Sequence, residues 1–279
     1  MALQKEVWIA GIQENPIPDN SFVFASQDKS EYVENNKLHL AEAGIEPDVH
    51  EDYFAGSETD LPLATITDIP NEVVLKTYST DRTRHRDLQE VELQYNKRAS
   101  VTNRHKTSLA KNLGKRAAFA WAPALDNANN KIITVGTGKF ISAIIKMKAF
   151  YNGLDMYDNL NICLTAEHMG LIEEEDTVLY KKILDTNKMY GFKVFNYNQT
   201  ALYTDAGAKK PYGTVKAATD KNCSFTWSSD ETFRCFGDTE MYETIRSAAS
   251  QADEISFAQR ALVGNIRATN PKYLGAILS

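Results

Sequence analysis

The first 95 residues hold little that could close a core of its own, and this limits what the rest of the chain can become. Residues 1 to 60 set turn-rich stretches, QENPIPDNSF, QDKSEYVENN and GIEPDVHEDYFAGSETD, between short apolar touches such as Val7 to Ile9 and Phe22 to Phe24. Pro, Gly, Asn and Asp at this density favour turns over regular elements. A lone domain seldom tolerates so long an irregular stretch, so it reads either as an arm lying on neighbouring subunits or as disorder.

From Leu61 the pattern turns extended, with Leu63, Thr65 and Thr67, then Glu72 to Tyr78, then Leu88 to Tyr95. In the last run Val91, Leu93 and Tyr95 alternate with Glu90, Glu92 and Gln94, the period of a half-buried strand. Between the last two runs lies the polar tip STDRTRHRD. Strands of about eight residues at about 3.3 Å each predict a ribbon about 25 Å long, which two strands cannot stabilise alone in water. Such a hairpin either projects onto a partner surface or folds as an edge of its own sheet. Arg82, Arg84 and Arg86 at the tip suit bidentate contact with carboxylates of a neighbouring subunit, or serve only solubility.

Charge is segregated in the next stretch of chain. Leu93 to Leu125 carries Lys97, Arg98, Arg104, Lys106, Lys111, Lys115 and Arg116 with no Asp or Glu, in a chain of net charge -6. Ser100 is read as the N-cap of a helix that ends near Ala122, before Pro123. Val101, Leu109, Leu113, Ala117 and Trp121 form its apolar row, and Arg104, Lys111 and Lys115, spaced by seven and four, share another flank. Gly114 inside it costs about 1 kcal/mol relative to Ala, so a close backbone approach should explain it. The basic flank faces either acidic protein or nucleic acid.

Further along, a largely buried helix is expected over Gly138 to Asn152 and a strand over Leu160 to Leu164. Short helices are expected over Ala166 to Ile172 and Thr177 to Leu184, the second capped by Asp176. GFKVFNYN resumes extended structure, and Thr200 to Ala218 reads as a Gly, Lys and Thr loop. CSFTW and TFRCFG are read as a hairpin around Ser228 to Glu231, Asp238 as the cap of a helix through about Ala249, and the end of the chain as strand. An α+β fold follows from this order.

The sequence argues against several kinds of chemistry. GTGK at 136 to 139 lacks the earlier Gly and the following Ser or Thr of a phosphate loop, since Ile133 and Phe140 stand there. Neither His39, His50, His85, His105 and His168 nor the odd, scattered Cys163, Cys223 and Cys235 adopt a metal-ligand spacing; buried thiols are expected. Glu173 to Asp176 read as solvated charge and a helix cap. No catalytic residue, cofactor or metal is expected, although a triad dispersed along the chain is recognised only by geometry. No stretch has the roughly 20 apolar residues of a membrane span and no apolar secretory segment opens the chain, so a soluble intracellular protein is expected.

Taken in order, an arm with QENPIPDNSF and VENNKLHL, a long hairpin, QYNKRASV running into a basic helix that ends AWAP, and a closing RALVGNIRATNPKYLGAI resemble a tailed-phage major capsid protein of the Hong Kong 97 type. The resemblance implies an N-terminal arm over 1–60 and an extended loop over 61–98. It further implies a peripheral domain with a spine helix over 99–139, a mainly axial domain over 140–237, and a C-terminal helix and strands returning to the peripheral domain over 238–279. It also implies a structural, non-enzymatic protein forming hexamers and pentamers in an icosahedral virion shell, assembled in the host cytoplasm around double-stranded DNA. Lys97, Arg98, Arg104, Lys111, Lys115 and Arg116 are then the candidate row facing DNA or a neighbouring subunit, and Arg82, Arg84 and Arg86 a candidate intersubunit tip. The chain enters the arm directly from Met1, so any scaffold is expected to be a separate protein, beside portal and decoration partners. An encapsulin-like compartment around protein cargo is the alternative, and a soluble enzyme a more distant one.

Overall fold

A computed structural model describes residues 19–34, 37–42, 47–55, 60–63, 69–85, 97–136, 138–247 and 252–279. The described leading part contributes β1 (Gln27–Asp28), β2 (Val33–Glu34), β3 (Lys37–Glu42), β4 (Ile69–Val74), β5 (Lys76–Ser79) and β6 (Thr83–His85). There follow α1 (Lys97–Ala120), β7 (Asn130–Thr134), α2 (Phe140–Asn152), β8 (Leu160–Leu164), α3 (Ala166–Glu175), α4 (Thr177–Thr186), β9 (Lys188–Met189), β10 (Phe192–Asn196) and β11 (Leu202–Tyr203). The chain closes with β12 (Lys221–Ser228), β13 (Thr232–Ser247), β14 (Ala252–Asn265) and β15 (Leu274–Leu278).

The larger sheet runs β7-β15-β12-β8-β10-β9, with β11 also on β12. Both of its faces are covered, so β8 and β15 are buried at every position; such strands read as continuous apolar runs rather than alternating ones. Leu160, Ile162 and Leu164 pack towards α2, α3 and α4, with Phe140, Ile144, Met147 and Ile172. Cys163, Phe225 and Trp227 point the other way, where Trp121 of the α1 C-terminal end and Phe22 of the leading segment complete the layer. Gly275 in β15 lies against this packing: a Cβ there would overlap Thr226 Oγ1 and Met147 Sδ. Gly275→Ala is therefore expected to cost about 2 kcal/mol by overpacking, read as a lower urea midpoint at unchanged m-value.

The second sheet runs β1-β13-β14-β5, with β6 also on β14. Helix α1 lies across it, with Leu109 against Ile255, Phe257 and Tyr78. A small sheet, β2-β3-β4, buries Leu38 and Leu40 against Phe233, Cys235 and Leu262.

Several sequence expectations are corrected. Asp238 does not cap a helix, because 238–247 continues β13, paired to β14 through Met241 opposite Phe257 and Glu243 opposite Ile255. Thr239, Tyr242, Thr244 and Ile245 suit a strand, and pairing along β14 outweighs the local helical pattern. CSFTW and TFRCFG are strands, but not a hairpin: β12 and β13 lie in different sheets and the turn between them carries the chain across. Within the expected C-terminal return, β14 lies beneath α1, whereas β15 joins the larger sheet. The expected strand Glu72 to Tyr78 is divided at Leu75, its halves pairing with β3 and β14 rather than with each other; its expected partner, Leu88 to Tyr95, lies outside the described residues. Helix α1 begins at Lys97, which places Ser100 inside the first turn instead of at the cap.

The leading segment is the largest departure. From Asn20 it is fastened to its own body: Phe22 is 0% exposed, with Tyr197, Trp121 and Phe225 ring centroids at 4.9, 5.9 and 5.9 Å. Asn20 Nδ2 donates to Ala110 O at 2.7 Å and Trp227 Nε1 to Ala25 O at 2.8 Å. This close approach explains Gly114, where a Cβ would collide with Asn20 and the Tyr197 hydroxyl.

Candidate assembly interface

Helix α1 is 24 residues long, about 36 Å at 1.5 Å per residue. His105, Leu109, Ala117 and Ala118 form its buried face, which Trp121 continues just past the helix end. His105 holds it to the β5–β6 connection, its two ring nitrogens bonded to Thr80 Oγ1 at 2.8 Å and Thr83 Oγ1 at 2.7 Å. Burial lowers the pKa of this imidazole.

The candidate cations do not form one uniform row. Arg104 and Lys115 are exposed on the same stripe, and Lys106, on another side, is exposed too. Lys111 is half-buried in a groove of about 700 Å³ that Asp19 and Glu173 also line. Arg116 turns inward, its guanidinium 3.9 Å from the Tyr212 ring and 5.5 Å from that of Tyr78, a cation–π sandwich inside the chain. Lys97 and Arg98 occupy the first two helical positions.

No sequence pattern announces the strap that holds the far end of α1. Lys209 Nζ donates to Phe119 O at 2.7 Å and Ala122 O at 2.6 Å, satisfying carbonyls at the helix C-terminus where a cation is favoured. Burial brings the pKa of Lys209 down to about 8. Asp220 anchors the strap through Lys210, 2.6 Å away, and that hydrogen bond lowers its own pKa. A Lys in a loop of ordinary composition carries no spacing by which this role could be read.

Of the tip arginines, Arg82 and Arg84 both reach Glu254 of β14, at 3.2 and 2.9 Å. Their first partner is thus within their own chain, although they remain 79% and 54% exposed. Arg86 lies outside the described residues. A different signal is left on the surface: Phe24, Tyr32, Val49, Phe54, Leu61 and Leu63 of the leading quarter are exposed to water, as are Val74 and further apolar residues later in the chain such as Leu125, Val178 and Val215.

The glycine-flanked α2 N-terminus is occupied by a carboxylate of the chain itself, as Glu175 accepts from the Phe140 and Ile141 backbone N–H groups at 2.5 and 3.0 Å. Asp176 caps α4 through the N–H groups of Val178 and Leu179, each 3.0 Å away. All three cysteines are free and buried, and burial raises the pKa of the Cys223 thiol to about 12. Among the described residues no group of His, Cys, Asp and Glu could hold a metal, and no helix is long and apolar enough to cross a membrane.

No protein-family model and no curated protein matches the sequence. Solved structures do. The chain aligns over 99% of its length with 97% of a chain from Mycobacterium phage Che8, at a TM-score of 0.72 and 12% identity. It aligns over 99% with 93% of a chain from the capsid of cyanophage P-SCSP1u, at 0.70 and 11%. Against the mature capsid of bacteriophage PhiM1 the figures are 99%, 92%, 0.68 and 10%. These define the class: an α+β protein with the fold of phage capsid proteins. The fold implied by the sequence resemblance is the one the chain has.

Proposed function

We propose that the chain is a major capsid protein, a structural subunit that assembles with copies of itself into an icosahedral virion shell around double-stranded DNA. The observation that carries this reading is the match to phage capsid folds from end to end on both sides of the alignment. The exposed apolar side chains of the leading quarter support it, since a shell would cover them. In this reading α1 with the β13–β14 sheet is the peripheral domain and the larger sheet with α2, α3 and α4 the axial one. Hexamers and pentamers form the shell in the host cytoplasm, with separate scaffold, portal and decoration proteins as partners. Purified protein, concentrated and imaged by electron microscopy, is expected to give closed shells. Monodisperse monomers at every concentration, with and without a scaffold, would sink the reading, and shells filled with protein in place of DNA would shift it to a cargo compartment.

The α1 cations supply the DNA-facing part of the proposal. Arg104, Lys111 and Lys115 replaced together by Gln are expected to leave folding intact, because none has a buried partner among the described residues. DNA retention should weaken, with the slope of log affinity against log salt falling by about 0.9 per cation that meets a duplex phosphate. An unchanged slope assigns the row to protein contacts.

A further inference from the structure

Three cations stand at one groove, and no described carboxylate pairs with any of them. The groove, about 410 Å³, opens between the C-terminal half of α1, β11 and the loop that follows, and Lys115, Phe119, Gln199, Leu202, Pro211 and Tyr212 line it among others. Lys115 is exposed at its rim. Its two aromatic rings, edge to face with centroids 5.4 Å apart, each carry a cation: Arg116 lies 3.9 Å from the Tyr212 ring and Lys209 Nζ 4.0 Å from that of Phe119. None of the three has an ion pair among the described residues. Burying charge without a counter-charge is costly, so Arg116 and Lys209 leave the groove suited to an occupant both apolar and negative. The other grooves along α1 differ in charge: Asp81 lines the one of about 590 Å³, and Asp19 and Glu173 the one of about 700 Å³.

The chain carries a piece of matching character. Between β3 and β4, residues 47–55 and 60–63 hold Asp48, Glu51, Asp52 and Asp60, all exposed, and no Lys or Arg. Phe54 in this piece is 64% exposed and Val49 96%. The piece is shaped by its own contacts: Ala55 N–H donates to Asp52 O at 2.9 Å and the Tyr53 hydroxyl to Asp60 O at 3.1 Å. The Tyr53 ring neighbours those of His50 and Phe54, each with centroids 5.3 Å away. A segment already in shape loses less freedom on binding.

We propose that this acidic segment of one copy seats Phe54 in the Lys115–Tyr212 groove of another copy, with Asp48, Glu51 and Asp52 in the field of its three cations. The ring meets Phe119 and Tyr212, and aromatic contacts of this kind add to the area they bury. Charge sets the choice of groove, since Asp19 and Glu173 repel the same segment from the larger one; opposite potentials on two surfaces also steer their encounter. Segment and groove are different surfaces, so the contact is head-to-tail. This deepens the shell reading and rests on it, since it names a contact between subunits. Lys115 then meets carboxylate, and Arg104 and Lys111 are left to the duplex.

Cross-linking between two variants tests it. Phe54→Cys chains are assembled in equal amounts with Thr214→Cys chains, or with Gln199→Cys chains, and oxidised. At least one mixture is expected to give a disulfide-linked dimer on a non-reducing gel that neither variant gives alone, and such a dimer joins two copies because its halves carry different substitutions. Phe54→Ser, which leaves every charge in place, is expected to raise the concentration needed for assembly by about tenfold, as loss of a central interface aromatic does. Shells with no mixed dimer from either pair overturn the proposal and leave the shell reading standing. So does a bridge that forms only inside a chain carrying both substitutions, or Phe54→Ser assembling at the parent's concentration, the result expected if DNA occupies the groove. A mixed dimer without shells overturns the shell reading and leaves the contact standing, and the absence of both removes the two together.

Discussion

Phe22→Ala is expected to destabilise the subunit by about 3 to 5 kcal/mol, the cost of emptying a buried aromatic site that cannot fully collapse. For a chain of this size that lowers the melting temperature by about 10 °C. The ring fills the junction between α1, β10 and β12, edge-on to Trp121 at 88° and to Trp227 at 73°. It also pins the segment that places Asn20 against Ala110 and Ala25 against Trp227 and Ser229. The variant is therefore expected to speed amide exchange over 20–28 more than over β8 or β15. Val23→Ala, which removes two methyl groups from a neighbouring buried position, should cost about 1 to 3 kcal/mol and leave exchange in that segment less changed. If Phe22→Ala melts within about 2 °C of the parent, the leading segment is fastened by something other than this ring.

This fastening shows where sequence and structure part. Elements whose signal is local are legible: Leu160 to Leu164 occupies the predicted strand, Asp176 is the predicted cap, and α2 begins within two residues of the predicted position. The leading segment reads as coreless because one aromatic and one valine make no periodic pattern. A single Phe can nonetheless anchor a segment when distant Trp, Tyr and Phe residues form its socket, and pairings across about 100 or 200 residues leave no trace in a window of ten. The same reason accounts for β13, whose partner strand decides between helix and strand, and for the lost hairpin at Ser228, where composition announces a turn but not the sheet each arm will join. In the candidate site the basic stripe of α1 is legible as a stripe. The inward turn of Arg116 is not, because it depends on Tyr212, 96 residues away.

Stability is expected to fall by about 3 kcal/mol as pH drops from about 6.5 to about 4, through His168. The imidazole is buried at the start of α3 and lies against the Phe140 ring with centroids 4.5 Å apart. Thr165 N–H donates to Ser224 Oγ at 3.2 Å, which directs the Ser224 hydroxyl proton to His168 Nδ1, 2.5 Å away, and leaves Nε2–H to donate to the Ser279 hydroxyl. This tautomer follows from the hydrogen-bond network. Desolvation is the largest cause of a folded-state pKa of about 4; Glu167 pulls it upward and Lys216 downward. Because the folded value lies below the unfolded one, the unfolded chain binds the proton first as pH falls. The stabilising contribution is complete above about pH 6.5 and is lost on descending towards about 4. His105, also depressed by burial, acts in the same direction. Asp28 and Glu72, whose pKa values are lowered by hydrogen bonds from Ser30 and Lys37, keep their contributions above the ordinary carboxylate values and lose them only as pH falls further. Urea unfolding at half-unit steps separates these groups: His168→Gln should flatten the curve between about pH 6.5 and 4 by the larger share, and His105→Gln by the smaller. A His168→Gln curve parallel to the parent's would mean that the imidazole is already protonated in the fold, with Ser224 turned to accept from it.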